Sequence, residues 1–167
     1  MALTNAQLVI LKADILNDPA LNALPNTLDG AFEIAAAYNL VASPDYYVWR
    51  TSVPVVEIMQ NGFDWARIDN LTVGKARIWE FMTSAGILNP SQANVRAGFE
   101  ACFSVEAGDQ TIRQAIYDHS QRLATRGEKL LATGAGTSST HHGVGPAVMS
   151  FEGQLTYQGV FTARNLP

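Results

Sequence analysis

The stretch from Asp109 to Thr133 constrains the fold more than any other part of the chain. Ile112, Ile116, His119, Leu123 and Leu130 recur at helical spacing, flanked by Ala115, Gly127 and Leu131, while Arg113, Asp118, Gln121, Arg122 and Lys129 turn elsewhere. The spacing predicts one long amphipathic helix. Gly134-Ala135-Gly136 gives that helix no means of continuing, and a polar, glycine-containing run leads on to Gly145-Pro146. The expected layout is therefore a helical body over residues 1–133 and a glycine-hinged C-terminal arm over residues 134–167, with Gly134 and Gly136 as the hinge.

Helix punctuation supports a mainly α body of about five helices in a bundle. Thr4 and Gln7 form a capping box ahead of a helix with the stripe Leu8, Leu11 and Ile15. Asn26 opens a second helix from Thr27 to about Asn39, with Leu28, Phe32, Ala35 and Ala36 turned inward and Ala31 and Ala37 allowing close packing. Val53 to Met59 reads as a strand or as a helix starting at Pro54, and the helix is preferred. Asn70 caps the next helix, in which Leu71, Gly74, Ile78, Phe81, Met82 and Ala85 recur at helical spacing before Gly86. Asn89-Pro90-Ser91-Gln92 announces another, with the stripe Val95, Phe99 and Cys102. In the arm, Ala147–Phe151 and Gln154–Val160 read as short β-strands; the alternative is a closing helix from Thr156 to Asn165 with Tyr157, Val160 and Phe161 on one side.

Charge and composition narrow the function. The 167 residues carry 15 acidic and 11 basic side chains, a net charge of -4, so broad attraction to nucleic acid is not expected. Hydrophobic residues at 47% against 16% charged leave apolar surface for neighbouring subunits. Cys102 is the only cysteine, which excludes an internal disulfide. Without an export signal or a long apolar run, the expectation is a soluble protein made in the cytoplasm, with no membrane partner and Asn70-Leu71-Thr72 unglycosylated.

No catalytic motif stands out, and neither an enzyme nor a cofactor is expected. Gly134-Ala135-Gly136 follows a helix rather than a strand and lacks a following Gly-Lys-Ser/Thr, so it is not a phosphate loop. His141 and His142 are adjacent and have no Cys, Asp or Glu at ligand spacing, which favours a solvated loop over a metal site. His119 lies on the apolar stripe, as structural histidines do. Asp64 with Asp69, or Glu57 with Glu80, would be arbitrary acid–base pairs. Arg122, Arg126 and Lys129 share one face of the long helix and are candidate contacts to DNA passing through a channel. Trp49, Trp65, Trp79, Tyr46 and Tyr47 read as core or interface anchors.

Several runs carry a resemblance. Leu21-Asn-Ala-Leu-Pro25-Asn26 leading to Ile34-Ala-Ala-Ala-Tyr-Asn39, Val48-Trp-Arg-Thr-Ser-Val53, Ala124-Thr-Arg-Gly-Glu-Lys-Leu-Leu-Ala-Thr-Gly-Ala-Gly136, Phe151-Glu-Gly, and Thr156-Tyr-Gln to Ala163-Arg-Asn-Leu-Pro167 resemble a family of small proteins encoded in tailed-phage and prophage structural clusters. The chain departs from the pattern around Thr140 to Gly145, where the family's link is shorter. The resemblance implies a virion component, a head-to-tail connector (adaptor) forming a ring of about twelve copies beneath the portal and joining it to the tail or nozzle protein. Capsid decoration or a distal tail component is the alternative. On the connector reading, the arm docks on a neighbouring subunit or on the portal through Phe151, Leu155, Tyr157, Val160 and Phe161.

Overall fold

The structure is a computed structural model, described over residues 2–60, 62–105 and 107–167. It is mainly helical, 52% helix against 10% strand. The helices are α1 (Asn5–Asn17), α2 (Pro19–Asn22), α3 (Leu28–Tyr38), α4 (Val55–Ile58), α5 (Trp65–Asp69), α6 (Val73–Thr83), α7 (Ala93–Cys102), α8 (Ala107–Ser120), α9 (Arg126–Leu131) and α10 (Tyr157–Arg164). Short strands lie at β1 (Tyr47–Trp49), β2 (Val53–Pro54), β3 (Ile87–Leu88), β4 (Gln121–Leu123), β5 (Ala132–Thr133) and β6 (Val148–Met149). The chain forms two compact units. The first gathers Met1–Tyr46, Leu123–Thr133 and Met149–Pro167; the second holds Tyr47–Arg122 and Gly134–Val148. The expected division between Thr133 and Gly134 therefore does not separate a body from an arm, because the residues after it are shared between both units.

In the first unit, α1 starts from the anticipated capping box: Gln7 N donates to Thr4 Oγ1 and Thr4 N donates to Gln7 Oε1. Leu8, Leu11 and Ile15 then point into a core shared with Ala31, Ile34 and Tyr38 of α3, Leu131 of α9 and Val160 and Ala163 of α10. The cap of α3 is Thr27 rather than Asn26, its Oγ1 accepting from Gly30 N. Its buried face is Ala31, Ile34, Ala35 and Tyr38, so Leu28, Phe32 and Ala36 face solvent, opposite to expectation. Gly30 allows the close approach to the preceding turn, since a Cβ there would lie 2.1 Å from Pro25 O.

The long helix predicted over Asp109–Thr133 is two helices with an extended step between them. Ala124 N donates to Tyr46 O at 2.8 Å and Ala42 N donates to Ala124 O at 2.9 Å, hydrogen bonds to a neighbouring segment in place of helical ones. A second capping box then starts α9: Glu128 N donates to Thr125 Oγ1 and Thr125 N to Glu128 Oε2. The extended arm is also corrected. Residues 149–167 complete the core of the first unit, and the helical alternative is the one adopted, as α10.

In the second unit, Val53 to Met59 is both strand and helix: β2 pairs antiparallel with β3, Val53 opposite Leu88 and Pro54 opposite Ile87, and α4 follows directly. The core is built around aromatic rings. Trp79 of α6 stacks on Phe63 at 5.7 Å and meets Phe103 edge-on at 5.4 Å, while Tyr117 meets Phe99 at 6.1 Å and Trp49 at 5.7 Å. α6 is capped by Thr72, not Asn70, and buries Trp79 rather than Ile78 and Phe81. α7 begins at Ala93, later than the Asn89 signal, because Asn89 Oδ1 accepts from Ser91 N and Oγ and makes a turn instead.

Candidate functional site

The residues expected to reach a partner from a free arm divide sharply. Phe151, Leu155 and Val160 are buried in the first unit's core. Phe161 is half-buried against that core and Tyr157 is the exposed one. Polar ties hold the segment as firmly as the apolar ones. Asn39 clamps Leu155 through both ends of its amide, Oδ1 accepting from Leu155 N at 2.8 Å and Nδ2 donating to Leu155 O at 3.0 Å. Arg164 donates to Pro25 O and Leu24 O, and Lys12 Nζ donates to Leu166 O. Phe151, Leu155 and Val160 therefore do not form a free docking limb, because withdrawing them would leave the core open.

Gly134 and Gly136 are not free hinges. Gly134 sits at φ +135° with Ala147 Cα only 2.9 Å from where a Cβ would be, and Gly136 at φ +69° has its carbonyl accepting from Tyr47 N at 2.8 Å. The run that follows is tied down too. Gly143 N donates to Glu100 Oε1 and Gly143 O accepts from Arg96 Nε, both at 3.0 Å. His141 and His142 stand in this loop with ring centroids 4.1 Å apart, and the His141 pKa is lowered by partial desolvation and by its neighbour. Among the described residues no group of three His, Cys, Asp or Glu is placed to hold a metal ion.

The three basic residues do not share a helical face. Arg122 lies in β4 of the second unit, while Arg126 and Lys129 lie on α9 of the first. Arg126 is paired with two carboxylates, Asp14 at 3.2 Å and Asp18 at 2.9 Å, and its guanidinium lies 4.6 Å from the centre of the Tyr38 ring. Its hydrogen bond holds the Asp18 carboxyl below the usual value. Burial, followed by the hydrogen bond it donates to Asp14, raises the Tyr38 phenol. Lys129 reaches toward Pro44 O and the Tyr46 ring. Arg126 and Lys129 border a cleft of about 510 Å³ whose walls are Ala37, Leu40, Val41 and Leu130.

The first unit exposes several large apolar side chains. Phe32, 65% exposed, lies 6.5 Å from Tyr157, with Leu28 one turn before it on α3. Leu40 and Val41 continue exposed apolar surface at the cleft. Leu28, Phe32 and Tyr157 project from helices fixed by the core beneath them, and Val41 is held by a β-bridge to Thr125, so the surface is preformed. No known protein family, curated protein or solved structure matches the chain. The sequence holds a signal for this face: Asp29 and Glu33 flank Leu28 and Phe32, which is how a helix face turned to solvent is marked.

Several of the remaining candidates have structural partners. Glu57 binds Arg50, which holds its carboxyl below the usual range, and Asp64 caps α5 by accepting from Ala66 N. Trp49 and Trp79 are core residues, whereas Trp65 is exposed beside Phe63. Cys102 is buried, which raises its thiol pKa to about 11. No helix among the described residues is long and apolar enough to cross a membrane.

Proposed function

We propose that the chain is a structural subunit of a tailed-phage particle, a head-to-tail connector that forms a ring beneath the portal and links it to the tail protein. The observation that supports this reading is the apolar face of the first unit, Leu28, Phe32 and Tyr157, large side chains held in the open by a well-packed core. Such a face has the character of a subunit contact, with aromatic rings at its centre and Asp29 and Glu33 at its rim. The resemblance of the sequence to phage structural-cluster proteins supplies the setting. Docking in this reading is between surfaces already formed, since Phe151, Leu155 and Val160 belong to the core. Contact with packaged DNA is not part of it, because Arg126 is neutralised by Asp14 and Asp18.

The test is a phage carrying Leu28→Asp and Phe32→Asp. The variant chain stays folded, and lysates contain filled heads and separate tails, seen by electron microscopy. Joined, infectious particles at the normal yield would overturn the reading. Copy number in purified virions checks the location: a neck ring gives about a dozen copies, and a count in the hundreds points to capsid decoration.

A further inference from the structure

α6 turns an unusual face to solvent. Trp79 is its buried residue, and Met82, Ala76 and Thr83 lie on the same side. The opposite side carries Val73, Gly74, Arg77, Ile78, Phe81 and Ala85, with Glu80 on one flank. Phe81 is 83% exposed, Val73 is 77% exposed and Ile78 is 40% exposed. A Cβ built at Gly74 would meet nothing within 4 Å, so the helix has a flat spot two turns before its largest projection. Arg77 and Glu80, opposite in sign and three residues apart, have no ion-pair partner among the described residues.

We infer that this face is a self-association site whose occupant is α6 of a second copy, packed antiparallel about a two-fold axis at Ile78. The spacing is self-complementary about that point. In an antiparallel pair centred on residue 78, each position faces the one equally far on the other side of the centre. Ile78 then meets Ile78 of the second copy, and Phe81 lies over Gly74 to within one residue's rise, about 1.5 Å. Arg77 comes level with Glu80 to the same tolerance. A two-fold axis perpendicular to both helices keeps each flank on its own side, so Arg77 and Glu80 meet as two reciprocal ion pairs on one flank. Val73 comes level with Ser84 to the same tolerance, at the edge of a cleft of about 410 Å³ that Phe81, Ile87 and Val95 also line.

Charge reciprocity selects a second copy over an unrelated partner: the same helix supplies the cation and the anion at the separation its own reversed image requires. One helix of 11 residues falls short of the roughly 1,200 Å² of a stable interface, so the pair is reversible, with a Kd from micromolar to millimolar. The inference does not rest on the connector reading. An isologous contact closes at two copies, so a ring must use another surface.

The test is sedimentation equilibrium of the full chain from about 10 µM to about 1 mM, spanning the expected Kd. Wild type shifts from monomer to dimer across that range. Phe81→Asp stays monomeric with an unchanged circular dichroism spectrum. Arg77→Glu alone and Glu80→Arg alone each weaken the dimer by about tenfold or more, and the double reversal restores it, because the pairs are rebuilt with opposite sign. Ile78→Cys, on the axis, gives a disulfide-linked dimer under mild oxidation, with Cys102 buried and silent. A wild-type chain that is monomeric throughout, a dimer that survives Phe81→Asp, or a double reversal no better than the single changes would each overturn the inference.

Discussion

Arg126 shows how one side chain can be read correctly for type and wrongly for role. It is basic and near the surface, but Asp14 of α1, Asp18 at the junction of α1 and α2, and the Tyr38 ring of α3 surround it, so it ties α9 to these elements. Replacing Arg126 with Gln is expected to lower stability by about 1 kcal/mol, the modest figure suited to a partly exposed network. The pH dependence has a definite sign. The folded-state pKa of Asp18 lies below its ordinary value of 3.8, so its contribution is complete above that value and lost as pH falls through the folded value. Urea titrations of wild type and Arg126→Gln between pH 6 and 2.5 should therefore converge at the acid end. Gly30→Ala is harsher: the added methyl meets Pro25 O, and a loss of about 2 kcal/mol or more is expected in the same titration.

At the level of the elements, the C-terminal helix is the decisive case. Leu155→Ala and Val160→Ala are expected to cost about 2–4 kcal/mol each as cavities in the first unit. Trypsin should not release residues 134–167 from the native chain, and such release would show that the ties from Asn39 and Arg164 do not hold in solution. Much of this was legible beforehand. The Thr4 and Gln7 box, the stop at Gly86 and the stripe of α1 are local chemistry, fully stated by a few adjacent residues. The break before α9 was legible too, since Thr125-Arg-Gly-Glu128 is a capping box, but it lies inside an apolar periodicity that continues across it. The outward placement of Leu28, Phe32 and Ala36 on α3, and of Ile78 and Phe81 on α6, was not legible for a different reason. Periodicity tells which residues share a face; it does not tell whether the protein's own core or something outside covers that face. On α3 Phe32 faces outward while Tyr38 is buried, and on α6 Phe81 faces outward while Trp79 is buried.

For the molecule as a whole, each unit combines a dense core with an uncovered apolar surface, which separates what stabilises the fold from what remains for association. Phe32→Asp and Phe81→Asp should each leave thermal stability within about 0.5 kcal/mol of wild type, as substitutions at exposed sites do. Phe81→Asp should abolish self-association, while Phe32→Asp should act only on particle assembly, and differential scanning calorimetry beside the sedimentation series checks both. The parts of the candidate site that the sequence left unreadable are those set by long-range closure. That Leu155 is core and Leu28 surface follows from Asn39 meeting a residue over a hundred positions later, which no local pattern encodes.

That closure also orders events during synthesis. α1 and α3 leave the ribosome before the residues that seal their greasy sides, Leu155, Val160 and Ala163, are translated. Every segment of the second unit has emerged before them. The nascent chain can therefore complete the second unit while α1 and α3 still wait for their cover, and until α10 arrives their apolar sides stay exposed to aggregation.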